Sequence, residues 1–101
     1  MDQCPPAIGN ANVLGYTPID ERHRRTGNTK HTWNLSEIGP AAGLAICQYA
    51  DEEAYYLFGC DEHWNVQFDT WHETVEKAVD QAEFEYEGTC RTWYFFPTDS
   101  N

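Results

Sequence analysis

The stretch 44-LAICQYADEEAYYLFGCDEHWNVQFDTWHETVEKAVDQAEFEYEG-88 decides the fold. Its first part holds three runs rich in aromatic and aliphatic residues, 44–50, 54–60 and 65–71, separated by the short polar turns DEE and DEHW. Runs of that kind predict an antiparallel three-strand meander. In the third run Val66, Phe68 and Thr70 alternate with Gln67, Asp69 and Trp71, so its two sets of side chains face opposite sides of a sheet. Past residue 74 the period changes from two to that of a helix. Val75, Ala78, Val79, Ala82 and Tyr86 fall at i, i+3, i+4, i+7 and i+11, which predicts an amphipathic helix over 75–87 packed on one sheet face. Thr74 is the expected N-cap and Gly88 the stop. A capping box from Thr70 to Glu73 would start the helix earlier, but it would take Trp71 and His72 out of the strand.

Outward from this core, 91-RTWYFF-96 reads as a last strand ended by Pro97, and residues 1–43 read as irregular because Pro and Gly recur through them. Within that segment 12-NVLGYT-17 reads as an edge strand. The run 20-DERHRRTGNTKHTWN-34 reads as an exposed basic hairpin turning at TGN, or equally as a loop. The expected fold class is α+β: an antiparallel sheet of three to five strands, one amphipathic helix on one face, and an irregular N-terminal segment that covers the aromatics on the other. Residues 1–101 form one domain on this reading, with 44–96 as its core, since the length suits one modest core.

At 41% hydrophobic and 15% aromatic residues, the chain lies outside the composition of disordered proteins. It has no apolar run of membrane-spanning length, and MDQCPPAIGN lacks the basic and apolar regions of a signal peptide, so a cytoplasmic setting is expected. The formal net charge is -11. Residues 1–50 balance four acids with four bases, and the surplus sits in 51–101, where thirteen acids face Lys77 and Arg91. That sign opposes binding to nucleic-acid phosphates and to anionic membranes. It favours a basic protein partner, whose approach it would also speed.

The helix sharpens this expectation. Glu76, Asp80, Glu83 and Glu87 run along one flank of it, although like charges at such spacing repel by roughly 0.2–0.5 kcal/mol per pair. Glu85 and Glu87 lie in the last turn, where the helix dipole disfavours acids. A carboxylate row of this kind predicts a partner-binding face made of Glu76, Asp80, Glu83 and Glu87, with Glu73 and Glu85 steering and Phe84, Trp64 or Trp71 as an aromatic anchor. The plainer reading is a solvated helix face, on which glutamate is common.

Catalytic signatures are missing. Cys4, Cys47, Cys60 and Cys90 include no C-x-x-C pair and read as free thiols, mostly buried. Cys60 and His63, with His72 further on, have the start of a metal-ligand spacing but no second tight pair. A nucleophile such as Cys47 or Cys60 beside His72 has no local signature, and neither phosphate-loop pattern occurs. No catalytic residue, metal or cofactor is therefore expected.

The segments 69-DTWHETVEKAVDQAEFEYEG-88, 55-YYLFGCDEHWN-65 and 39-GPAAGLAICQY-49 together resemble a group of small uncharacterised bacterial proteins, in which a strand ending in an aromatic residue leads into a helix of this type. The likeness covers about half the chain and implies the strand–helix pattern without catalytic residues. In charge and size the chain is also similar to bacterial immunity proteins, which implies an inhibitor that neutralises a basic partner, such as a toxin, by occlusion. The alternatives are a small metal- or thiol-dependent enzyme using Cys60, His63 and His72, and a homo-oligomer. The latter would associate through a sheet edge at 91–96, or through the basic loop 22–31 docked on another copy's helix.

Overall fold

The computed structural model describes residues 3–97. The meander forms where the sequence places it, as β6 (Gly43–Tyr49), β7 (Tyr55–Cys60) and β8 (Val66–His72), paired antiparallel in that order. Helix α1 (Val75–Glu85) follows, with Thr74 as its N-cap and the Lys77 N–H donating to Thr74 Oγ1 at 3.0 Å. The architecture is mostly antiparallel sheet with one helix, as α+β requires.

The N-terminal segment differs from its expected irregularity. Residues Ala11–Pro18 form β2, an eight-residue strand inserted beside β6. It is no edge, because β1 (Ala7–Ile8) and β10 (Tyr94–Phe95) both pair with its other side. Among the described residues the main sheet thus has six strands, in the order β1-β2-β6-β7-β8 with β10 also on β2. Strand β2 buries Ala11, Val13, Gly15 and Thr17, but a bulge between Val13 and Gly15 divides them between the two faces of the sheet, Val13 opposite Cys47 and then Gly15 and Thr17 opposite Ile46 and Leu44. Short residues there hide that signal from a search for large apolar side chains. The last strand is shorter than expected, since Thr89–Arg91 coils into a 3-10 turn after Gly88, whose φ of +100° turns the chain.

Two apolar clusters lie on opposite sides of the sheet. On the helix side Leu44, Ile46, Leu57 and Phe68 meet Ala78, Ala82 and Tyr86. The two alanines let the helix approach the strands closely, and the Ala41 N–H donates to the Tyr86 hydroxyl at 2.8 Å. On the other side Ala45, Cys47, Phe58 and Cys60 pack with Cys4, Val13 and Trp64, and Ile8, Tyr16 and Phe96 border them. The N-terminal segment supplies only part of this cover. Two glycines are roofed by aromatic rings from the neighbouring strand: Phe68 over Gly59 and Phe95 over Gly15, each its register partner.

Residues 20–38 are anchored to the end of α1. The Thr26 hydroxyl donates to Phe84 O at 2.6 Å, the Asn28 amide to the same oxygen at 3.0 Å, and the Thr26 N–H to Glu85 O at 3.0 Å. TGN is therefore no hairpin turn. It satisfies the helix's last carbonyls, which have no partner inside the helix. Beside it β3 (Arg24–Arg25) pairs with β9 (Tyr86–Glu87), which takes over the end of the expected helix. The hairpin lies later, where β4 (Thr32–Trp33) pairs with β5 (Ser36–Glu37) about a two-residue turn at Asn34 and Leu35. Their φ values of 55° and 66° are those of the tight turn that suits strand twist.

Candidate functional site

Of the expected carboxylate row, Glu76 and Asp80 face solvent without an ion pair among the described residues, Glu87 faces solvent in an exposed pair, and Glu83 is used by the fold. Glu73, Glu76 and Asp80 are exposed. Glu73 lies 3.5 Å from Lys77 Nζ, while Glu76 and Asp80 form no ion pair with another described residue. One turn on, Phe84 is 52% exposed, which extends the Glu76–Asp80 line at i+4 spacing with an aromatic ring.

The remaining acids have intramolecular work. Glu83 accepts from the Gly88 and Cys90 N–H groups, both at 3.0 Å. It thereby caps the 3-10 turn, and the Cys90 and Gly88 amides hold its carboxyl below the usual range. Glu87 faces Arg24 at 3.2 Å across the β3–β9 pair. Glu85 is 5% exposed, bound by His31 Nε2 at 2.8 Å and by the Gln81 amide at 2.7 Å. A steering role for Glu85 is thus corrected, because its carboxylate lies inside the fold. The apparent misplacement of acids at the helix end has a structural cause: they hold the 20–38 loop and the following turn.

The two tryptophan anchors separate. Trp64 is buried against Tyr16, ring to ring at 5.5 Å, and is corrected from surface anchor to core residue. Its φ of +64° carries backbone strain on the order of 1 kcal/mol, offset by burial of the indole. Asp61 fixes this turn by accepting from the Asn65 and His63 N–H groups at 2.9 and 2.8 Å, and those bonds lower its pKa. Trp71 is 57% exposed. It lines a depression of about 240 Å³ with Glu53, Ala54 and Glu73.

A larger cleft, about 580 Å³, opens between the β4–β5 hairpin and β8, walled by His31, Trp33, Ile38, Val66, Phe68 and Asp69 among others. His31 stacks on Phe68 with centroids 3.7 Å apart and an interplanar angle of 13°. Nearby, burial lowers the pKa of His72, with the Glu85 charge opposing, and His72 Nε2 lies 2.7 Å from Thr70 Oγ1. The sequence reading missed this cleft, the His31–Glu85 pair and Glu53. Asn34 was a turn signal that could have placed the hairpin; nothing local marks Leu35 or pairs residues 54 apart.

The thiol and metal alternatives find little geometry. Cys47 and Cys60 are fully buried, and burial pushes both thiols up, Cys60 to about 12, so neither supplies the thiolate a nucleophile needs. His63 is exposed while Cys60 is inside. Among the described residues no three His, Cys, Asp or Glu side chains gather closely enough to hold a metal ion. Nor is any described helix long and apolar enough to cross a membrane. No protein-family model matches the chain, and no match was found among curated proteins or solved structures.

Proposed function

We propose that the protein is an acidic binding protein of the immunity or inhibitor kind, which neutralises a basic partner protein, such as a bacterial toxin, in the cytoplasm by covering its working surface. The observation that carries this reading is the exposed line Glu76, Asp80, Phe84: two carboxylates with no ion pair among the described residues, followed by an aromatic ring half in water. Acids the fold needs are tied down, and these are not. Charge flanking a desolvated aromatic is the usual composition of a contact that orients a partner and then holds it. Glu73 extends the line, and Glu53 and Trp71 form a secondary contact. Occlusion asks only for shape and charge of this face, so a nucleic acid or an anionic membrane is not the partner on this reading.

The test is capture from the host's extract with wild type and with Glu76→Lys/Asp80→Lys, eluting at about 0.5 M salt, where screening shortens to a few ångströms. Wild type should retain a basic protein that salt releases. The double variant should fold with an unchanged far-UV spectrum and lose that partner by about 100-fold in affinity or more. Equal capture by both proteins, or no basic protein on the wild type, would overturn the reading.

A further inference from the structure

The large apolar side chains that the fold leaves in water are unevenly placed. Phe84 lies on the helix and Tyr94 and Phe95 on β10, but the other four exposed among the described residues, Trp33, Leu35, Val66 and Trp71, belong to the β4–β5 hairpin or to β8, the two sides of the cleft at His31 and Phe68 and its continuation. Leu35 is the most telling of them. It is wholly exposed and sits at φ +66°, a conformation costly for a branched side chain and cheap for glycine. Folding alone gains nothing from a leucine there. The hairpin that carries it is fixed at its base rather than loose: the Ile38 N–H donates to His31 O at 2.7 Å, His31 binds the buried Glu85, and the Arg25 guanidinium donates to Ile38 O at 3.2 Å.

Opposite the hairpin, β8 is the end of the sheet. No described strand pairs its outer side; its sequence VQFDTWH lacks the lysine or proline that commonly blunts an edge, and its one bulge, at Gln67, leaves Phe68–His72 in regular register. We infer that β8 and the hairpin form a binding site for an extended, basic peptide segment of another protein, which adds to the sheet beside β8 while Trp33 and Leu35 close over it. Backbone pairing at an edge supplies affinity in such complexes, and alternate side chains supply selectivity. The cleft walls carry the Asp69 carboxylate and no lysine or arginine, so they complement a lysine or arginine flanked by apolar residues.

Charge also disfavours a fully overlapping strand pair with a second copy of this chain. A symmetric antiparallel pairing in full overlap of the seven residues Val66–His72 is centred on residue 69. It would set Asp69 against Asp69 of the other copy, and like charges directly opposite destabilise a strand pair.

The site borders the secondary contact at Trp71 but includes none of Glu76, Asp80 and Phe84, and its test is separate. An array of decapeptides in which Lys or Arg alternates with Val, Ile, Tyr or Thr is probed with the intact protein, and the strongest sequence is resynthesised with alternate backbone nitrogens methylated. The parent peptide should bind, and methylation, which removes the pairing donors but keeps charge and side chains, should weaken it by about tenfold or more. Asp69→Lys should weaken it similarly, and Leu35→Gly should do so while raising thermal stability. Glu76→Lys/Asp80→Lys, which lowers the net negative charge by four, should weaken it less than Asp69→Lys does. The inference is overturned if no peptide binds, if methylated and parent peptides bind alike, if Asp69→Lys has no effect, or if the helix variant abolishes the signal. It is also overturned if sedimentation shows a dimer that Asp69→Lys dissociates.

Discussion

Glu83 shows how one side chain can look like surface charge and act as structure. Its carboxylate closes the turn after Gly88 by taking two amide protons, and the same two bonds favour its charged form. Replacing it with glutamine should cost about 1 kcal/mol at neutral pH. The sign with pH follows from the direction of the shift. The folded pKa is depressed, so the charged-state contribution is complete above the unfolded value of about 4.3 and is lost as pH falls through the lower folded value. Denaturant melts of wild type and Glu83→Gln should therefore differ at pH 7 and converge only as pH falls through the depressed folded value; a gap independent of pH would mean the carboxylate's charge is irrelevant. His23 acts in a comparable way. Its Nδ1 accepts the Asp20 N–H at 3.0 Å, which places the proton on Nε2, 2.8 Å from Thr92 Oγ1. A histidine in a basic run is thus a buried fastener between residues 20–23 and the segment after the 3-10 turn.

At the scale of elements, strand β7, strand β8 and the loop before β4 are coupled by a stack of groups. The ring of Phe68 occupies the space over Gly59 and carries His31 on its far face, and His31 reaches Glu85 on the helix. An added methyl at Gly59 has nowhere to go unless the ring moves. Gly59→Ala should lose about 2 kcal/mol, and hydrogen exchange should show the 24–38 segment opening more than β2. Equal loosening of both would mean that the stack does not transmit the displacement. The elements also show what kind of information the chain carries locally. The meander and α1 were readable because their apolar residues are large and regularly spaced, and Thr74 marked the helix start. Strand β2 was only partly readable, since its buried residues are Ala, Val, Gly and Thr and a bulge divides them between two faces. The early end of α1 could not be read at all, because what ends it, Thr26 and Asn28 on its last carbonyls, lies almost sixty residues away in sequence.

For the molecule as a whole, the same limit explains the fate of the candidate site. Net charge and its concentration after residue 50 were visible from composition, and Phe84 was among the candidate anchors and is exposed. Which acids remain available to a partner depends on where residues 20–38 fold back, and the spacing of acids on a helix says nothing of that. Glu85 is taken inside by that return and Glu87 is paired with Arg24 at the surface, while Glu83 closes the following turn, leaving Glu76 and Asp80 outward without an ion pair among the described residues. The distribution of the four tryptophans has an optical consequence. Trp33 and Trp71 stand in water on a strongly anionic body, whereas Trp64 is buried and Trp93 is half-buried. Two emitting populations should be resolvable, and the red-shifted one should be quenched more steeply by caesium than by iodide, because the field concentrates cations near the surface and repels anions. Raising ionic strength with an inert salt should bring the two quenchers together, while equal quenching at low salt would mean that the field does not extend to these indoles. The protein thus holds, without any label, two built-in probes that would change colour when a cationic partner arrives and covers them.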